Sequence, residues 1–470
     1  MGGAQRVLLV VGGLVGLLVV AFVVAVAVWS GATLKTDSTA LAQVSLQPLA
    51  GSLEQASAFG RDGKPIPLSV RGGRLTPLTK VSAGETVSVD VVIRRPGLLS
   101  WALGKTRHEQ LTFTAPVARL ADPWVTVKAG SPVTVSFDQP VTAVAYGTAG
   151  HLRRQTLGGA ERSLSIGPRA PAGSIQVAAA IRPWEKLSRP ATVTWFPESD
   201  SAVMVSSPAP GATLLPASRI RLTFSSTVTD AIGSAKPKLS PATSGSWHKV
   251  DSHTLVFSPT GFGVALDSQV HVELPRSVAV TGSSGTNLQS TSQLTFAVPP
   301  GSTARLQQLL AEQGYLPLSW NPSGTPVAPT AGAQAAAAVD PPTGSFTWRY
   351  PNTPPELKAL WTPNRANTIT KGAVMMFENE NDMTADGVAG PAVWKLLLSD
   401  ALAGKRHTTP YSYVYVHRNV PQLLTLWSAG HTVLTSPGNT GVPAAPTVLG
   451  SFPVFEHIPV GTMSGTNPDG

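Results

Sequence analysis

Apolar and polar residues alternate in window after window between residues 40 and 298, and this alternation limits the fold more than any other feature. In "ETVSVDVVI", Val87, Val89, Val91 and Ile93 fall on one face. "SPVTVSFDQPV" does the same with Val133, Val135 and Phe137, and "SRIRLTFSSTV" with Ile220, Leu222 and Phe224. Side chains of a strand point to opposite faces in turn, so period 2 predicts half-buried strands. Composition agrees: of 470 residues 13% are charged, while 44 are glycine and 42 proline. Few charges and many turn formers favour short strands over long surface helices.

The strand windows resemble one another. Residues 127–144 line up with 214–231, and 81–97 are a weaker third copy, which suggests a repeated sandwich unit. "SSPAPGATLLPASRIRLTFSSTV" and the later strand carrying Thr254, Leu255, Phe257 and Pro259 resemble bacterial Ig-like domains of surface proteins. That resemblance implies spacer modules. We expect β domains at 35–118, 119–198 and 199–298, with Trp247 in a core and His248 on the surface.

Val7 to Trp29 is a 23-residue run without a charge. About 20 apolar residues span a bilayer, and a signal-peptide core is shorter, roughly 7–15 residues. "AVA" at 25–27 leaves cleavage as the alternative. Arg6 precedes the run and Lys35 follows it, which weakly favours a cytoplasmic N-terminus. Residues 1–34 are therefore expected to be a single-pass anchor in the cell membrane, with the rest extracytoplasmic. Net charge is +9 and the pI 9.8, which draws a chain towards anionic polymers. No basic run exceeds a pair, so a nucleic-acid partner is not expected. The chain has no cysteine, which excludes disulfides, thiolate metal sites and a cysteine nucleophile within it.

At Pro299 the pattern changes. Leu306, Leu309 and Leu310 sit at helical spacing before Gly314, a residue suited to a left-handed C-cap. Later, Thr370 can cap a helix carrying Ala373, Val374 and Phe377, and Pro391 suits the first turn of another. Leu306, Leu309, Gly314, Tyr315, Thr370, Ala373, Val374, Phe377, Asp386, Gly387, Val388, Gly390 and Trp394 together resemble the three-helix peptidoglycan-binding domain. The resemblance spans 299–403 and implies peptidoglycan as partner. It departs from the family in a long insertion, 316–368. Within it, "NPSGTPVAPTAGAQAAAAVDPPTG" (321–344) reads as a flexible excursion, followed by an ordered aromatic stretch. Trp348 and Tyr350, with Asp386 and Trp394, are the candidate peptidoglycan contacts, against packing and turn formation as the alternative. "DGVAGPAVW" places Gly387 at a positive φ, Pro391 at the third helix start, and Val388, Val393 and Trp394 in the core.

From 410 strands return. Gln422, Leu424, Trp427, Gly430 and Val433, then Thr447, Gly450 and Phe452, resemble the start of an L,D-transpeptidase catalytic domain, with Val448 where proline is usual. The resemblance implies a cysteine thiolate that attacks a stem-peptide carbonyl and passes the acyl group to a neighbouring amine. The family's His and Gly-Cys motif is not among these residues, so the chain as given is expected to be inactive and to be a fragment of a longer protein. Met463 and Ser464 are candidates for a donor pocket. No metal-binding spacing or phosphate loop occurs, and no cofactor is expected. The fold class is thus multidomain and mainly β: an N-terminal transmembrane helix, Ig-like β-sandwiches, a three-helix peptidoglycan-binding module and a partial β-rich transpeptidase domain at 410–470. The alternatives are a non-catalytic wall tether and, more weakly, an adhesin acting through the Ig-like units.

Overall fold

The computed structural model describes residues 31–455 except 49, 98–99, 101–103, 129, 168–170 and 282–287, together with Val20, Val24, Trp29, Ile458, Val460 and Thr462. Of the expected anchor, 1–34, only Val20, Val24, Trp29 and 31–34 are described, and its end is corrected, since Ala32–Lys35 form a strand; Met463 and Ser464 lie wholly outside the described residues. Among the described residues no helix is long and apolar enough to cross a membrane. The chain is mainly β and divides into two compact units, 1–198 and 199–470.

In the first unit, one four-stranded sheet runs in the order Ala32–Lys35, Ala42–Leu46, Arg74–Pro77, Leu68–Arg71. A second runs Pro65–Ile66, Ser52–Phe59, Thr86–Arg94, Thr106–Thr114. Val87, Val89, Val91 and Ile93 are all 0% exposed in their shared core, as the alternation requires. Residues 118–197 enclose their core with a single five-stranded sheet instead of two stacked ones. The 16-residue strand Val133–Thr148 makes this possible. Its register shifts between Ser136 and Ala143, around Pro140, which offers no ladder N–H. Arg182 and Trp184, in the turn after strand Gly173–Ala180, pack on the first core: the guanidinium lies 4.6 Å from the Phe113 ring and 5.2 Å from that of Trp184.

The second unit opens with a sheet ordered Lys238–Ser240, Gln269–Thr281, Val203–Ser207, Ile220–Phe224, Thr254–Pro259, Gly245–Lys249, with Leu288–Ala297 also paired to Gln269–Thr281. Ile220, Leu222 and Phe224 are buried, and Trp247 packs on Phe257 at 5.3 Å while His248 stays exposed. A short helix, α1 (Val228–Ile232), precedes a helical module built of α2 (Thr303–Glu312), α3 (Ala331–Val339), α4 (Pro355–Ala359), α5 (Thr368–Glu380) and α6 (Pro391–Ala403). Helices α2, α5 and α6 are the three expected ones.

The insertion between them corrects the sequence reading. Residues 321–344 are ordered: a ribbon pairs Leu318–Pro322 with Gly344–Trp348, and α3 lies between its strands. Alanine is the strongest helix former, Thr330 caps the N-terminus by accepting from the Ala333 N–H at 3.3 Å, and Ala335, Ala337 and Ala338 are buried. A three-stranded antiparallel sheet, Ser412–His417, Leu423–Ser428 and His431–Pro437, follows, and after it a short ribbon pairs Gly441–Val442 with Ala445–Pro446. In the three-stranded sheet Tyr413, Tyr415 and Trp427 pack on the helical core, whereas Val414 and Val416 are 47% and 46% exposed.

Candidate functional site

Helix α2 organises the module. Ser302 caps it, its hydroxyl accepting from the Arg305 N–H at 3.1 Å. Leu306, Leu309 and Leu310 face the core, but the opposite side is buried too, because the insertion covers it. The glutamines there are satisfied one by one, as burial demands. The Gln307 amide donates to the Thr362 and Arg365 carbonyls and accepts from the Asn364 N–H at 2.7 Å. Gln313 donates to the Leu397 carbonyl at 2.8 Å. Helix α5 is capped by Asn367, not Thr370: the Asn367 side-chain oxygen accepts from the Thr370 N–H at 2.9 Å, and the Thr370 hydroxyl meets Gln307. After α2, Gly314 takes φ +95°, and Tyr315 donates to Glu380 at 2.7 Å while stacking on His407, which closes the turn.

The stretch Asp386–Trp394 is structural. Asp386 is exposed, and its carboxylate accepts from the Val388 N–H at 2.8 Å, fixing the turn. Gly387 sits at φ +72° and donates to the Glu378 carboxylate at 2.8 Å. Glu378 is 2% exposed; burial raises its pKa above the usual carboxylate range, Asp386 adds to the rise, and the Gly387 N–H opposes it. Val388 is 62% exposed, so the expected core contact is not made: the turn points it outwards. Trp394 is 2% exposed, and a Cβ on Gly301 would fall inside its indole ring. As a peptidoglycan contact Trp394 is therefore corrected to a core residue.

The remaining two candidates, Trp348 and Tyr350, do sit on the module, both half-buried. Trp348 pairs across the ribbon with Leu318, and Tyr350 lies edge-on to Trp427 at 5.4 Å. The sequence reading missed the aromatic run beside them. Cross-strand partners Trp320 and Phe346 lie 4.8 Å apart, and Phe346 meets Trp361 at 5.1 Å, all three half-buried. A two-residue spacing in each strand, Leu318–Trp320 and Phe346–Trp348, was the available signal.

At the Trp320 end lies a pocket of about 90 Å³. Arg305, Glu312 and Gln334 supply its polar lining, with Trp320, Val327 and the prolines 322, 326 and 342 around them. Arg305 is 1% exposed. Its Nη1 donates to Gln308 Oε1 at 3.1 Å and reaches Glu312 Oε1 at 3.4 Å; its Nη2 donates to Gln334 Oε1 at 2.9 Å. Gln308 and Gln334 in turn donate to the Pro342 and Ala328 carbonyls, which turns their own carbonyl oxygens to the guanidinium. The buried Nε–H of Arg305 has no hydrogen-bond partner among the described residues. Burial lowers the basicity of the guanidinium and Glu312 partly restores it. No cluster of three or more metal-ligating side chains occurs among the described residues.

No protein-family model and no curated protein sequence matches this chain. Among solved structures, SGBP-B of a Bacteroides ovatus mixed-linkage glucan utilization locus, in complex with a mixed-linkage heptasaccharide, aligns at 10% identity and TM-score 0.18, covering 59% of this chain and 65% of that one, just under two thirds. The FN1–FN3 domains of chicken CNTN1 align at 10% identity and TM-score 0.14, covering 57% of this chain and 97% of that one. The I9–I11 tandem of titin aligns at 8% identity and TM-score 0.13, covering 39% and 66%. Superpositions this loose carry no argument about the fold or ligand of this chain.

Proposed function

We propose that this chain is a wall-facing protein that grips peptidoglycan through the helical module at 299–403. The observation that carries the reading is the half-buried aromatic run Trp320, Phe346 and Trp361, ending at a pocket lined by a buried guanidinium. Binding sites are commonly apolar and aromatic surfaces with a few placed polar groups, and peptidoglycan offers both sugar faces and carboxylates. The net charge of +9 favours the same anionic polymer. In this reading residues 7–29 anchor the chain in the membrane, and the β modules before residue 298 are Ig-like spacers that set the reach to the wall.

Sedimentation of the full chain with purified peptidoglycan sacculi tests the binding role. The chain should pellet with sacculi, and a Trp320→Ala/Trp361→Ala variant should lose most of that retention. Equal retention of the variant, or none for the parent chain, would sink the proposal.

A second reading makes the chain part of an L,D-transpeptidase, a wall cross-linking enzyme. It is supported by the resemblance at 410–452 and by the apolar outer face of the three-stranded sheet, where Val414, Val416 and Leu434 are 46–49% exposed, as in a sheet that belongs to a larger layer. With no cysteine among the 470 residues, the family's thiolate chemistry is not available to them. Mass spectrometry of muropeptides after incubation with this chain should show no new cross-linked dimer; such dimers would overturn that statement.

A further inference from the structure

The pocket at Arg305 is not one of the features by which the chain resembles a peptidoglycan-binding domain. It is made by the insertion: Trp320, Val327, Gln334 and Pro342 all come from it. Three observations define what it can hold. First, the cation on its lining is short of compensation. Two of its partners are neutral amide oxygens, and Glu312 reaches it only at 3.4 Å, with its side chain 40% exposed. A buried cation whose carboxylate partner is long and part-exposed is incompletely compensated, and a closer anion from outside would improve on that partner. Second, Arg305 keeps a buried Nε–H with no hydrogen-bond partner among the described residues, so its donor fork is incompletely used. A guanidinium matches a planar carboxylate through parallel N–H donors. Third, the space is small and its other walls are apolar. A volume of about 90 Å³ equals roughly three waters of liquid. That admits a carboxylate with its adjoining carbon and a methyl group, but not a sugar ring.

We propose that this pocket is a carboxylate subsite, taking the acid end of a lactyl or alanyl group, with Arg305 as its anion contact and Glu312 as a resident counter-charge that turns to solvent when ligand enters. The inference deepens the wall-binding reading and rests on it for the source of the carboxylate. The half-exposed position of Glu312 permits the movement. The Gln308 and Gln334 amides, locked by their own bonds to backbone carbonyls, hold the guanidinium in place meanwhile.

Isothermal titration of the full chain tests this with three matched probes. N-acetylmuramic acid carries a lactyl carboxylate, N-acetylglucosamine is the same sugar without it, and N-acetyl-D-alanine carries the acid on a peptide unit. At least one of the two acids should bind, N-acetylglucosamine should not, and whichever acid binds names the source. Glu312→Gln, at a half-exposed side chain, removes the competing charge and should tighten acid binding several-fold. Arg305→Lys should weaken it at least tenfold. Failure of both acids to bind the Glu312→Gln variant would overturn the subsite, as would equal binding of N-acetylglucosamine. Sacculi retention separates the two ideas. Retention without acid binding ends the subsite and leaves wall binding standing. Acid binding without retention keeps the subsite and ends the wall-binding reading.

Discussion

Two arginines are buried among the described residues, and their surroundings differ in kind. Arg182, in the first unit, is 8% exposed and lies over the rings of Phe113 and Trp184, donating to the Ala40 carbonyl at 3.3 Å. Burial lowers its basicity, and Glu185, 1% exposed, and Asp37 offset this only in part. Arg305, in the second unit, has two amide oxygens, one half-exposed carboxylate and an open pocket. Each has a buried Nε–H without a hydrogen-bond partner among the described residues. A buried charge therefore does not by itself make a site. Where rings fill the surroundings, the arginine is a staple; where a pocket is left beside it, it is poised for a ligand.

Substitutions can break this contrast. The largest effect should come from Arg182→Met, which takes the guanidinium away from the Phe113 and Trp184 rings and from the Ala40 carbonyl, at a cost of about 3 kcal/mol. Hydrogen exchange in peptides covering strand Thr86–Arg94 should accelerate by orders of magnitude; unchanged exchange would remove the staple from the account. Arg305→Met should cost less, about 1–3 kcal/mol, because it strands two neutral amide oxygens and a carboxylate that can turn to solvent. Its exchange signature should stay within 303–361 while acid binding disappears.

Glu378 extends the contrast to a buried anion. Burial raises its pKa above the ordinary glutamate value, so the folded state favours the protonated acid. Stability from this group is fully present below about pH 4.5 and is lost as pH rises through the higher folded pKa. Glu378→Gln should therefore stabilise the module at neutral pH, and the gain over the parent chain should vanish in acid. A pH series of chemical unfolding reads this directly; a gain that persists below pH 4.5 would contradict the sign. The smallest effect belongs to Glu312→Gln. Its own carboxylate is 40% exposed but its partner Arg305 is buried, so stability should fall by about 1 kcal/mol while acid affinity rises.

Much of the fold was legible in the chain text, because short-range rules govern it. Alternation identified the buried faces at Val87–Ile93 and Ile220–Phe224. Turn chemistry placed Gly387 at positive φ and Pro391 at the start of α6. The insertion was not legible. Its helix α3 is an alanine run with no polar face to show a period, flanked by the prolines and glycines that usually signal a loop. Arg305 reads as a surface residue in "STARLQQLLAEQ", and only the covering insertion buries it. The pocket joins residues near 305–312, 320–334 and 342, which no local window brings together. Thr370 and Asn367 are both able caps, and the choice between them depended on Gln307, 63 residues upstream of the hydroxyl it bonds.

Hydrogen exchange of the full chain, with and without soluble peptidoglycan fragments, tests the central claim most directly. Ligand should protect peptides covering 305–327 and 344–361, with little change in 203–298 or 412–437. Protection confined to the β modules, or no protection around Arg305, Trp320 and Trp361, would contradict the assignment of the helical module as the part that grips the wall.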